Sequence, residues 1–112
     1  MGKDSIFEEF HKRRNKGNQQ ILGADFLPFK RFFALDTQAY SDGEIPVIYK
    51  ELMGLVGSVV LKCNDCILYH LDKCLEIGCS KKEIYEALNI ALVIGGSIVI
   101  PHLRVAFEAL EK

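Results

Sequence analysis

With 112 residues, the chain is too short for more than one ordinary domain. Its 14 basic and 15 acidic side chains leave a net charge of −1, which excludes bulk attraction to nucleic acid or an anionic lipid surface. It is 49% hydrophobic with three prolines, and therefore globular rather than disordered. A mean hydropathy of +0.11 is more apolar surface than so small a core can hide, so subunit interfaces are expected.

The opening Met1-Gly2-Lys3-Asp4 has no apolar run of the secretory type, and Ile6 stands where a myristoylation signal needs Ser or Thr. Ser5 to about Gln20 reads as a first helix, with Gly17 and Gly23 at its loose end. Its basic run Lys12-Arg13-Arg14 with Lys16 shares the segment with Glu8 and Glu9, the pattern of a solvated helix face. Asp25 is the candidate N-cap of a second helix with Pro28 in its first turn. Phe26, Leu27, Phe29, Phe32, Phe33, Leu35 and Tyr40 give that helix an aromatic face suited to core or interface.

Ser41 to Pro46 is a turn, and Pro46 opens a third helix, Val47 to about Leu61, carrying Glu51 near its start. Gly54 and Gly57 suit a close helix approach on it. Lys62 to Ile77 is a fourth helix ended by Gly78, and Ser80-Lys81-Lys82-Glu83 is a capping box opening a fifth, Ser80 to about Ile94. The fifth helix is apolar almost all round, which implies burial by another subunit. Gly95-Gly96 breaks it before a last helix, Ser97 to Leu110, with Pro101 in or near its first turn. The longest apolar run, Ala87 to Ile100, is too short to span a bilayer and is interrupted by Asn89, Gly95, Gly96 and Ser97. No strand alternation, repeat or long linker interrupts this pattern. The expected fold is all-α, about six helices in one domain over residues 1–112, in a soluble cytoplasmic protein with no nucleic-acid or membrane partner.

The chemistry concentrates in Cys63-Asn64-Asp65-Cys66-Ile67-Leu68-Tyr69-His70. On a helix, Cys63, Cys66 and His70 at i, i+3 and i+7 share one face. Thiols in a helix's first turn are favoured as thiolates by its unpaired N–H groups, and His70 is one turn beyond Cys66, placed to take its proton. When one sulfur is oxidised to a sulfenic acid, the other is close enough to resolve it as a disulfide. In a reducing compartment such a pair is catalytic or metal-binding before it is structural.

Cys63-x-x-Cys66-x-x-x-His70, followed by Leu71, Gly78, the capped helix with Glu83, and Gly95-Gly96, resembles the alkylhydroperoxidase D-like branch of the carboxymuconolactone decarboxylase family. Lys50-Glu51-Leu52 belongs to the match, because the family carries a glutamate twelve residues before the first cysteine. The motif-bearing core is residues 45–110. The resemblance implies a trimer or hexamer that reduces hydroperoxides with its dithiol. By position, Cys66 would attack peroxide, Cys63 would be the more exposed resolving thiol, and Glu51 with His70 would form the proton relay. It implies no bound organic cofactor or metal, and a dithiol reductant, small molecule or protein, lipoylated carriers included. Asp65 departs from the pattern by adding a negative charge beside the thiols, which would raise their pKa.

Three other functions compete. A zinc site could use Cys63, Cys66 and His70 with Glu51; Cys74 lies too far along the helix from Cys63 to join it. Lactone decarboxylation names the wider family but generally goes without the dithiol. An oligomeric redox-sensing domain would use the thiols without turnover. Cys74 and Cys79 read as small hydrophobes or idle thiols, Tyr69 as packing, and His11 and His102 as lacking a partner in sequence.

Overall fold

In the computed structural model residues 3–111 are described, with side chains from Ile6 on, so the expectations for Met1 and Gly2 lie outside it. Six α-helices follow one another: α1 Lys3–Gly23, α2 Leu27–Ala39, α3 Val47–Val60, α4 Asn64–Glu76, α5 Lys81–Gly95 and α6 Ile100–Glu111, with a 3-10 turn Ser97–Val99 before the last. Among the described residues there is no strand, and no helix is long and apolar enough to cross a membrane.

Helix starts and stops follow local chemistry. At α5 the Ser80 hydroxyl accepts from Glu83 N–H at 3.1 Å while the Glu83 carboxylate accepts from Ser80 N–H at 2.8 Å, so the capping box closes in both directions. At α3 the Asp42 carboxylate, from the preceding turn, accepts the first helical N–H, that of Val47, at 2.7 Å. The end of α4 is a Schellman turn: Gly78 takes φ +98, its N–H reaches Leu75 O at 3.2 Å, and Cys79 N–H reaches Cys74 O at 2.9 Å.

Asp25 does not cap α2. It lies in the left-handed region at φ +55, the N-cap is Phe26 without a side-chain bond, and the Asp25 carboxylate pairs instead with Lys30 at 2.6 Å. With Leu27 as the first helical residue, Asp25 is one position too early to reach the free N–H groups.

The core forms between α3, α4, α5 and α6. Leu55 and Val59 of α3 meet Ile67 and Leu71 of α4, Ile84 and Leu88 of α5, and Ala106, Ala109 and Leu110 of α6. Each stripe repeats at three or four residues, so one face of each helix is apolar and inward. Burying each larger aliphatic side chain stabilises the fold by about 1.5–3 kcal/mol. Phe7 and Phe10 anchor α1.

α2 contributes no buried residue, so its aromatic face is not part of this chain's core: Phe32 is 66% exposed. α5 buries Ile84, Leu88 and Ala91, yet Val93 is 75% exposed, so its second apolar face is uncovered in the single chain.

Replacing Ser80 by Ala is expected to cost about 1 kcal/mol and Asp42 by Ala about 0.5–1 kcal/mol. Both should appear as lower urea midpoints with unchanged slope; an unchanged midpoint would show that the cap contributes nothing.

Candidate active site

The α3–α4 connection is only three residues long and positions both sulfurs. Leu61 caps α3, Lys62 turns left-handed at φ +60, Lys62 N–H bonds Val59 O at 3.0 Å and Cys63 N–H bonds Ser58 O at 3.0 Å. This is a second Schellman turn, with lysine where glycine is usual. Cys63 therefore stands outside the helix as the N-cap of α4, not inside its first turn. Its sulfur accepts the Cys66 N–H at 3.2 Å. Cys63 and Cys66 are joined as a disulfide with Cα atoms 5.2 Å apart, well within the usual range. Cys66 is exposed and Cys63 half-buried in the single chain, the reverse of the exposures that the family resemblance implies.

One turn on, His70 points into the protein against α3. Its Nδ1 lies 2.8 Å from Glu51 Oε1, and both side chains are nearly buried. A carboxylate oxygen accepts, so Nδ1 carries the proton of this bond and Nε2 is the ring nitrogen left for other partners. Nε2 faces the Tyr40 hydroxyl at 3.5 Å. Burial, then the charges of Asp36, Glu51 and Tyr69, hold the Tyr40 hydroxyl above its ordinary pKa, so it stays protonated as a donor.

Tyr40 and Gly54 are site residues that the sequence did not single out. A Cβ on Gly54 would lie 2.6 Å from His70 Cε1 and 2.8 Å from the Tyr40 hydroxyl, so the imidazole fits because position 54 has no side chain. A Cβ on Gly57 meets nothing within 4 Å, so of these two glycines Gly54 alone serves a close approach. A cleft of about 480 Å³ opens beside these groups, lined by Tyr40, Met53, Gly54, Cys63, Cys66 and His70.

Asp65 is not a free charge beside the thiols. Arg13 of α1 holds its carboxylate with both guanidinium nitrogens, at 3.1–3.3 Å. The remaining histidines find partners that the sequence did not announce: His102 Nδ1 donates to Asn64 Oδ1 at 2.7 Å, tying α6 to the start of α4, and His11 Nε2 lies 2.7 Å from Asp72 Oδ2. Tyr69 packs beneath the Arg14 guanidinium, 4.3 Å from the ring centre. Among the described residues no group of three or more His, Cys, Asp and Glu side chains converges as metal ligands.

Cys74 and Cys79 form a separate, buried pair at the end of α4. Burial, followed by the neighbouring Cys79 charge and hydrogen bond, pushes the Cys74 thiol far above its ordinary value; burial also raises Cys79. Both are kept as neutral thiols, the packing role that the sequence suggested.

An all-helical chain with a disulfide at a helix start and a buried Glu–His pair behind it defines a class, and residues 28–112 match the carboxymuconolactone decarboxylase family. The chain belongs to that family, and the dithiol, Glu51 and His70 agree with its alkylhydroperoxidase D-like branch. Two crystal structures of the Thermotoga maritima protein TM1620 are similar over nearly the whole chain. In one, 54% of residues are identical, the match covers 93% of this chain and 91% of that one, and the TM-score is 0.90. In the other, 53% are identical, the coverage is 92% and 87%, and the TM-score is 0.88; there the protein is described as a carboxymuconolactone decarboxylase family member for which an antioxidative role is suggested. Apo-lpg0406 of Legionella pneumophila, 24% identical with 95% of each chain covered and a TM-score of 0.86, shares the fold. An uncharacterised protein of Cupriavidus necator is 33% identical over 58 residues, 52% of this chain; the chain covers about half the length of this curated relative.

Gly54→Ala would stabilise an ordinary helix by up to about 1 kcal/mol. Here we expect a net loss of about 1–3 kcal/mol from the clash with His70, together with a shifted His70 ring resonance; an unshifted resonance would refute the steric account. The folded protein also keeps the Cys74 proton to higher pH than the unfolded chain, whose thiol has the ordinary value of 9.0. This contribution to stability is complete below about pH 9 and lost as pH rises, by up to about 1.4 kcal/mol per unit. Unfolding of Cys74→Ala should lose part of that alkaline slope, and an identical slope would count against it.

Proposed function

We propose that this chain is a thiol-dependent hydroperoxide reductase that cycles Cys63 and Cys66 between dithiol and disulfide. The observation that carries this reading is the buried Glu51–His70 pair, whose histidine borders the same cleft as the two sulfurs. Glu51 fixes the His70 tautomer, so that Nε2 takes the Cys66 proton, directly or through water, and the resulting imidazolium is stabilised by the carboxylate. The Cys66 thiolate attacks the hydroperoxide, the O–O bond breaks, and His70 returns the proton to the leaving alkoxide. Cys63 then displaces water from the Cys66 sulfenic acid to form the disulfide. A dithiol, as small molecule or protein, restores both thiols. The antioxidative role suggested for the Thermotoga relative agrees with this cycle.

The whole chain acts as one domain on this reading, in a reducing compartment such as the cytoplasm, and as a homo-oligomer. Support for oligomers comes from Leu61, Val93, Ile94 and Ile98, each at least 60% exposed. A trimer or hexamer is expected in light scattering, against 12.6 kDa for the monomer.

Free thiols of the reduced protein should fall by two after one equivalent of an organic hydroperoxide. Cys66→Ser abolishes this disulfide formation, and His70→Ala slows it about a hundredfold or more. Unchanged thiol counts in the wild type would overturn the peroxidase reading. Activity on a muconolactone that survives Cys66→Ser would establish the decarboxylase alternative.

A further inference from the structure

Cys66 and His70 border two clefts, not one. The first, described above, also reaches Cys63 and is walled by apolar side chains such as Met53 and Leu61. The second, of about 400 Å³, lies between α1 and α4 and has a different wall: Arg13, Arg14, Asn18 and Tyr69 accompany Cys66 and His70, and Cys63 is absent from it. A volume of this size holds a small organic ligand.

The two arginines differ. Arg13 is engaged by Asp65, whereas no described carboxylate pairs with Arg14. Arg14 is half-buried, with its guanidinium over the Tyr69 ring at 4.3 Å. Stacking orients a guanidinium while leaving its N–H edge available for a two-oxygen acceptor. One carboxylate on this wall, the exposed Asp36 of α2, has no ion-pair partner among the described residues. The charges of Arg13, Arg14, Asp36 and Asp65 cancel, which suits a singly charged carboxylate better than a phosphate dianion.

We propose that the α1–α4 cleft binds an organic hydroperoxide bearing a carboxylate, with Arg14 receiving the carboxylate and the O–O group meeting Cys66 and His70. The proposal rests on the peroxidase reading and names its substrate class. In the step, the Cys66 thiolate forms an S–O bond to the outer peroxide oxygen as the O–O bond breaks. Sulfur is oxidised by two electrons, the peroxide is reduced to an alcohol, and the alkoxide takes the proton that His70 had removed from Cys66. Cys63 closes the disulfide from the other cleft, where a dithiol reductant meets both sulfurs.

The test is the rate of thiol loss in the full-length reduced protein with cumene hydroperoxide and with its para-carboxylate derivative, which share one peroxide chemistry. The carboxylate probe should react about tenfold faster at low salt, with the advantage shrinking as screening rises. Arg14→Gln should bring the two probes to within about twofold, Arg14→Lys should recover part of the preference, and Asp36→Asn should enlarge it. Equal rates in the wild type, or a preference that survives Arg14→Gln, would overturn the anion site while leaving the peroxidase reading intact. Thiol loss with neither probe would overturn both.

Discussion

Glu51 and His70 meet across the α3–α4 contact, with side chains 6% and 11% exposed and 2.8 Å between them. Two polar groups that deep are tolerable only as partners. Removing either leaves the other buried and unmatched, a loss of about 1–3 kcal/mol and more for a charged group. The constraint runs outward from there. The helices must approach closely enough for an imidazole to lie where a side chain at position 54 would be, and the flanking Leu55, Val59, Ile67 and Leu71 stripes must hold that spacing. The rigidity that keeps the bond short is the same rigidity that aims Nε2.

The sulfurs are placed by a different device. A Schellman turn reverses the chain within three residues and sets Cys63 at the mouth of α4, so no flexible loop intervenes between the helix that carries the acid and the helix that carries the thiols. Asn64, bound to His102, ties that mouth to α6, and Asp65, held by Arg13, ties it to α1. Exposed pairs of this sort contribute little stability each. Their value is positional: with the turn from α3, three helices converge on the first turn of a fourth.

What the sequence disclosed follows the range of the interaction. The Ser80–Glu83 box spans four residues and was legible, as was Gly78, because local chemistry decides both. Glu51 and His70 are nineteen apart, and periodicity gave no reason to pair them; only the spacing shared with a family did. Tyr40 was visible as an aromatic but not as a neighbour of His70, and Gly54 was visible as a small residue but not as the space an imidazole occupies. Arg13 and Arg14 read as solvent-facing because the partner helix is about fifty positions away. Asp25 misled for the opposite reason. Its local signal was good, but the helix started one residue late and the carboxylate found Lys30. The aromatic face of α2 was legible as a surface that wants cover, while the single chain leaves it bare.

The cap of α4 is a sulfur. A thiolate at that position would be a strong, charge-assisted acceptor for the Cys66 amide, whereas a sulfur already bonded to another sulfur is a weak one. On the proposed cycle, oxidation would therefore exchange a stronger cap for a weaker one, and reduction would restore it. The oxidation state of two atoms would be felt in the first turn of α4. The weaker cap would then belong to the disulfide form, the stage of that cycle at which a sulfur has to be reached and displaced.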